Sequence, residues 1–273
     1  MTSLPTLTLR LDDHPAAPTV TVCPDDGGRI LQATAWDTAL LHDAPGAPLL
    51  MRGSYPMVPW AGRVRNGRFS FDGTDHELRP NVGPHPLHGV GFDHPWRVGG
   101  HTASSCHLDI DLDWPLGGSA RQGISLHATA GDDASVEVRF ALEVTAGELA
   151  MPAVIGWHPC FRPATSLETT FTRMYRRDAE GVALDELVGV APLPWDDCFP
   201  AGPVAPRLVV DGIAVALESD CDHWVVYTGD PAATCVEPQS APPDAFHGVG
   251  PGPTVLTPGQ TLRRHMAWHL RPA

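Results

Sequence analysis

The strongest constraint on the fold is a two-residue hydrophobic alternation. Residues 105–113 place Cys106, Leu108, Ile110 and Leu112 on one side and acidic residues on the other. Residues 135–144 repeat the pattern with Val136, Val138, Phe140, Leu142 and Val144. Successive side chains of a strand point to opposite faces, so this alternation predicts half-buried β-strands. Further strands are predicted at 6–11, 18–23, 29–36, 67–72, 96–102, 124–130, 149–158, 166–175, 207–218, 222–228, 233–237 and 261–270. The 29 prolines and 27 glycines supply the turns between them. No segment carries an apolar stripe of helical period ten or more residues long. Many short strands with frequent turns predict an all-β chain, an antiparallel sandwich or barrel. The loop-like stretches 192–206 and 241–253 separate no regions of different composition. One domain spanning 1–273 is the simplest organisation, since all-β domains reach ~250 residues.

Composition then removes classes of chemistry. All 18 basic residues are arginine and none is lysine. Schiff-base and pyridoxal enzymes need a lysine amine, and a nucleotide P-loop needs its lysine. The formal net charge of −14 opposes nucleic acid and anionic membrane surfaces as partners. No apolar run approaches the ~18 residues of a spanning helix. The opening Met-Thr-Ser-Leu-Pro-Thr-Leu-Thr-Leu-Arg lacks a basic stretch followed by an apolar one, so a cytoplasmic location is expected. The six cysteines, Cys23, Cys106, Cys160, Cys198, Cys221 and Cys235, form no CxxC pair. They are expected to be reduced, small, buried side chains, outside any zinc site or disulfide framework.

The chemistry therefore falls to histidines, carboxylates and arginines. Four segments put polar groups where strands should end: Pro59 to Phe69, Gly83 to Asp93, Val154 to Phe161 and Thr234 to Ser240. His158 follows an apolar strand, and Pro159 is expected to stop the ladder there. Trp157 and His158 must point to opposite faces. Glu237 has the same setting before Pro238. Taken alone, His158 reads as a core histidine bonded to a carbonyl and Glu237 as a rim carboxylate bonded to a turn. Ionisable groups at strand ends also invite a functional reading. His85 and His88, with His94 nearby, lack the spacing of a metal site. Arg63, Arg65 and Arg68 suggest an anion cradle, but in an extended run Arg68 faces away from the other two.

These segments carry a resemblance. The pieces are Gly62-Arg63-Val64, Gly67-Arg68-Phe69-Ser70-Phe71-Asp72-Gly73, Leu87-His88-Gly89 with Gly91-Phe92-Asp93, and Gly156-Trp157-His158-Pro159-Cys160-Phe161. Asp196-Asp197-Cys198-Phe199, Tyr227-Thr228-Gly229, and Val236-Glu237-Pro238-Gln239 with Pro243-Asp244-Ala245 complete the set. In this order, over roughly residues 55–247, the chain resembles the aldose 1-epimerases, the galactose mutarotase-like proteins. The resemblance implies a large antiparallel β-sandwich with His158 as general acid and Glu237 as general base. Arg63, His88 and Asp196, the last aligned through Phe199, would hold sugar hydroxyls. Trp60 and Trp157 are candidate platforms for the apolar face of a pyranose, since flat aromatic rings offer large apolar surfaces. Three positions depart from the family pattern: Cys160 stands where Tyr is usual, Gly62 where Asn often precedes the arginine, and Val225 where many members have Gln.

Mutarotation opens a hemiacetal ring to an aldehyde and recloses it on the other carbonyl face. It oxidises nothing and transfers no group, so the resemblance implies neither cofactor nor metal. An acid and a base are expected on opposite sides of one hemiacetal. The implied partner is a monosaccharide, and the protein a monomer or homodimer. A mutarotase for hexose 6-phosphates or other anionic sugars, and a non-catalytic carbohydrate-binding protein, are the alternatives.

Overall fold

The computed structural model describes residues 4–81, 83–129, 131 and 134–273. Two large antiparallel sheets pack face to face as a β-sandwich. The first has nine strands, in the order Leu7–Arg10, Thr19–Cys23, Arg29–Ala35, Ser54–Met57, Gly156–Phe161, Thr234–Gln239, His223–Tyr227 and Asp196–Pro200, with Thr38–Ala39 paired to Arg29–Ala35. The second has eight: Ser166–Glu168, Arg207–Val210, Ile213–Ser219, Thr261–Pro272, Val136–Thr145, Ser119–Ala128, Ser105–Asp111 and Arg97–His101. Three small two-stranded sheets flank them, among them the hairpin of Arg173–Arg177 and Ala183–Gly189. Helical structure among the described residues is limited to short 3₁₀ turns at Leu49–Met51, Arg65–Gly67 and Ala245–His247. No helix among them is long and apolar enough to cross a membrane.

The alternation read from the sequence builds the core directly. Val136, Val138, Phe140, Leu142 and Val144 are all buried, while their neighbours along the strand are at least partly exposed. Phe140 meets Trp268 at 4.7 Å within its own sheet and Trp157 of the opposite sheet at 6.3 Å. Phe161 of that first sheet meets Trp268 at 5.1 Å. Aromatic rings each remove about 150–250 Å² from water, so these contacts are a main bond between the layers.

Several expected strands divide. Residues 149–158 resolve into Met151–Ala153 and the start of Gly156–Phe161, and 166–175 into Ser166–Glu168 and part of Arg173–Arg177. Residues 207–218 fold into a hairpin at Asp211-Gly212, whose φ values of 46° and 83° suit a primed two-residue turn. The predicted end of the 124–130 strand includes residue 130, which lies outside the described residues; the strand itself begins earlier, at Ser119. The expectation that 192–206 is a loop is wrong in its middle. Asp196–Pro200 pairs with His223–Tyr227 along its whole length. Prolines at 192, 194, 200 and 203 hide this edge strand from a pattern search.

The expectation that Pro159 ends its strand also fails. Gly156–Phe161 continues through it, pairing Pro159 with Ser54. On its other side the register with Thr234–Gln239 runs at Gly156, Cys160 and Phe161 and skips residues 157 to 159. Neither Pro159 nor Pro238 has an N–H to donate. His158 and Glu237 thus lie beside a gap in an otherwise continuous sheet.

Candidate active site

Strand alternation determines which side chains reach the site. In Gly156–Phe161, Trp157 and Phe161 join the core cluster between the sheets, so His158 and Cys160 project from the outer face. In Thr234–Gln239, Val236 belongs to the core and Cys235, Glu237 and Gln239 share the outer face. Asp196 and Cys198, then Val225 and Tyr227, obey the same rule on the next two strands, where Phe199, Trp224 and Val226 go inward. Apart from the fully buried Cys160 and Cys235, the outer-face residues line a cavity of about 180 Å³ that opens to solvent. Loops add Gly62, Arg63, Leu87, His88 and Pro243, and the hairpin adds Tyr175, Arg177 and Ala183.

His158 Nε2 lies 3.2 Å from Glu237 Oε1, and both side chains are almost wholly buried. They stand side by side, which corrects the expectation of groups on opposite sides of a hemiacetal. Burial pushes the Glu237 carboxyl up and the His158 imidazolium down, and the attraction of opposite charges opposes both shifts. Burial prevails for Glu237, raised to about 7, with Cys160 and Asp196 also lifting it. For His158 the neighbouring Glu237 and Cys160 outweigh burial and raise it to about 9. Gln239 Nε2 donates to Glu237 Oε2 at 3.2 Å. The Tyr55 ring stacks on the imidazole at 4.7 Å and 11°, fixing its plane.

The remaining ring nitrogen, His158 Nδ1, lies 3.3 Å from Cys160 Sγ. Cys160 Sγ in turn lies 2.6 Å from Cys235 Sγ and 3.6 Å from the Leu50 carbonyl oxygen. Burial raises the Cys160 thiol, but its hydrogen bond with Cys235 and the adjacent His158 outweigh this and lower it. This departure from the family pattern therefore sits directly behind the candidate acid.

His88 stands across the site, its ring edge-on to His158 at 4.8 Å. Burial first, then the charges of His158 and Arg63, push its pKa well below the usual range, so it is neutral at pH 7. The Gly62 backbone N–H donates to His88 Nδ1 at 3.2 Å. A neutral ring that accepts at Nδ1 carries its proton on Nε2 and presents a donor there. The backbone of His88 is left-handed, φ 61°, a conformation that costs energy for a non-glycine residue and recurs at functional sites. Gly62 itself has φ 73°, and a Cβ there would lie 2.6 Å from Cβ of Pro243. Glycine therefore fits where another side chain would collide.

Arg63 lines the cavity and has no carboxylate within ion-pair distance among the described residues; its guanidinium donates to the Gly181 carbonyl at 3.5 Å. Asp196 also lines it and pairs with Arg177 at 2.9 Å, while Arg177 bonds Asp197 at 2.8 Å. Burial raises the Asp196 carboxyl, against the pull of Arg177 and Arg63. Arg177, Tyr175, Tyr227 and Gln239 are pocket residues that sequence reasoning did not assign. Tyr227 and Gln239 lie within quoted motifs, and their two-residue spacing from Val225 and Glu237 was the available signal.

Three expectations need correction. Trp157 is not a sugar platform: it is fully buried between the sheets, on the face opposite His158. Trp60 is also core, 6.0 Å from Trp114 and outside this cavity. The arginine cradle does not form, because Arg65 pairs with Asp178 and Asp244 and Arg68 with Glu77 on the surface. The histidines of the 85–94 region also separate. His85 accepts from the Asn66 N–H and contacts Glu180, and His94 contacts Asp93.

Two groups of described residues bring potential metal ligands within 4.8 Å of one another: His88, His158 and Glu237, and His158, Cys160 and Cys235. In the first, His88 offers the pocket an N–H rather than a lone pair. That suits a hydrogen-bond donor to a neutral ligand.

The sandwich is that of a galactose mutarotase-like protein, with a buried His158–Glu237 pair lining a cavity on its outer face. The aldose 1-epimerase family model matches residues 13–197, and the chain belongs to that family. Among curated proteins, it is 27% identical to Escherichia coli YphB, a protein described as uncharacterised, over 89% of this chain and 92% of that one. A crystal structure from Escherichia coli K12, provisionally assigned as an aldose 1-epimerase, superposes with a TM-score of 0.82 at 24% identity, covering 99% of this chain and all of that one. The GalM/aldose epimerase homologue of C. elegans gives 0.78 at 15% identity, with 99% and 100% covered.

Proposed function

We propose that the protein is an aldose 1-epimerase that interconverts the α and β anomers of a free aldose. The observation that carries this reading is the His158–Glu237 pair, 3.2 Å apart on the cavity floor. Ring opening removes a proton from the anomeric hydroxyl and delivers one to the ring oxygen. Those two oxygens share one carbon, so adjacent acid and base serve them better than groups on opposite sides. Glu237 accepts the O1 proton and His158 Nε2–H protonates the ring oxygen. The C1–O5 bond breaks as the carbonyl forms, C1–C2 rotates, and the same groups reverse roles on closure. Positioned proton transfers of this kind contribute typically ~10²–10⁴-fold. Elevation of Glu237 toward neutrality strengthens it as a base, and the charged pair places an imidazolium beside it.

The surrounding groups suit a polyol. Arg63 and His88 Nε2–H donate, the free oxygen of Asp196 accepts, and Gln239 Oε1 has no protein donor among the described residues. Tyr175 and Tyr227 supply ring surface. Arg63, lacking a carboxylate partner, favours a sugar carrying an anionic substituent as the second reading. A polarimetric panel of free, phosphorylated and acidic aldoses separates the cases. Acceleration of free aldoses supports the first, acceleration confined to charged sugars supports the second, and saturable sugar binding without acceleration overturns both.

A further inference from the structure

The two sulfurs behind His158 are unused by this mechanism. Cys160 and Cys235 lie directly opposite in the register of adjacent antiparallel strands. Directly opposed residues have Cα atoms about 4.5–5.5 Å apart, inside the range a disulfide spans. Their side chains share the outer face and bring the sulfurs to 2.6 Å, although both cysteines are free. A disulfide bond of about 2.05 Å needs only a small further approach. No other sulfur–sulfur contact occurs among the described cysteines; Cys23, for example, faces the Pro5 carbonyl.

We propose that Cys160 and Cys235 form a reversible, peroxide-driven disulfide that detaches Cys160 from His158. The Cys160 sulfur, as thiolate, attacks one peroxide oxygen. An S–O bond forms, the O–O bond breaks, and hydroxide leaves to become water on protonation. The Cys235 sulfur then attacks the Cys160 sulfur: the S–S bond forms, the S–O bond breaks, and a second water leaves. In sum, two thiols lose two electrons and two protons, and one hydrogen peroxide becomes two waters. Attack needs a thiolate in a setting that stabilises it, and the imidazole 3.3 Å from Cys160 Sγ provides one. Cys160 and Cys235 are fully buried beneath the cavity, so the peroxide must reach them between its lining residues. Leu50, whose carbonyl contacts Cys160, lines it, as does His158. The bonded sulfur carries no negative charge to accept the His158 Nδ1–H and is drawn toward Cys235. Its ability to hold and charge the ring is lost.

The bond is independent of the mutarotase reading; its effect on rate rests on it. The native full-length protein is exposed to hydrogen peroxide, denatured, alkylated and digested, and the peptides are mapped by mass spectrometry with and without dithiothreitol. The expected result is a Cys160–Cys235 linked peptide two hydrogen masses lighter than the separate thiols, abolished by dithiothreitol. It is absent from C235A and retained in C221A. Mutarotation should fall about tenfold or more with the linked fraction and return on reduction. Recovery of both cysteines as alkylated thiols from the peroxide-treated wild-type protein overturns the proposal, as does their separate oxidation or a different pairing. A linked peptide with an unchanged rate overturns the coupling to His158.

Discussion

Replacing Glu237 with glutamine preserves the shape of the side chain and removes its charge. The carboxylate is buried, and its Oε2 accepts from Gln239, a bond the amide oxygen of E237Q can keep. Two roles disappear together. The proton acceptor for O1 is lost, which costs ~10²–10⁴-fold by itself. The negative charge 3.2 Å from His158 Nε2 is lost as well, and that charge is what most opposes the downward pull of burial on the imidazole. Without it, His158 shifts toward the neutral form at pH 7 and the proton donor is depleted. The combined fall in kcat is expected to reach about 10³-fold or more. Arg63, His88 and Asp196 are untouched, so KM should move by less than about tenfold. The assay follows the optical rotation of a freshly dissolved pure anomer, with circular dichroism to establish that the variant is folded. A folded E237Q protein within about tenfold of the wild-type rate refutes the assignment of Glu237 as base.

Four further outcomes follow from the same geometry. The active state needs an ionised Glu237 and a protonated His158, so kcat/KM should rise as pH passes about 7 and fall as it passes about 9; a flat profile between pH 6 and 10 contradicts this. Both folded pKa values lie above the unfolded ones, so the stability they confer is complete at low pH and is lost as pH rises through about 7 and about 9. Thermal denaturation should show a decline over that range that is smaller in E237Q. Trp157→Ala should cost about 3–5 kcal/mol in chemical denaturation while leaving KM of the folded protein unchanged, because the ring packs between the sheets rather than against ligand. Gly62→Ala must relieve a left-handed backbone and a Cβ contact of 2.6 Å with Pro243, so it should displace the Gly62 N–H from His88 and raise KM, read by steady-state polarimetry.

The alternating runs made most of the sandwich legible before any coordinates, because period-2 burial is a local property of a strand. Val136 to Val144 shows it in nine residues. Asp196–Pro200 was hidden because its prolines look like loop and its partner strand, His223–Tyr227, is distant in sequence. The His158–Glu237 pair and three of its companions, Arg63, His88 and Asp196, were legible only through the ordered motifs. The physical reading of His158 or Glu237 alone left a structural role open. The burial of Trp157 was legible from strand alternation alone: the same pattern that sends His158 outward sends its neighbour into the core. Arg177 and Tyr175 carried no local signal, since a hairpin far along the chain folds over the pocket. The sulfur pair was equally invisible, because only the register between Gly156–Phe161 and Thr234–Gln239 brings residues 75 positions apart into contact.

The central claim is that two side chains act as one proton-transfer unit on a single anomeric carbon. Magnetisation-exchange NMR between the α and β anomeric protons of an aldose at equilibrium measures that event without any coupled reaction. The account predicts exchange accelerated by the wild-type protein, and nearly the same large loss in H158N, in E237Q and in the double variant, because removing either partner already disables the unit. Exchange that persists at the wild-type rate in the double variant, or losses that simply multiply, would contradict it.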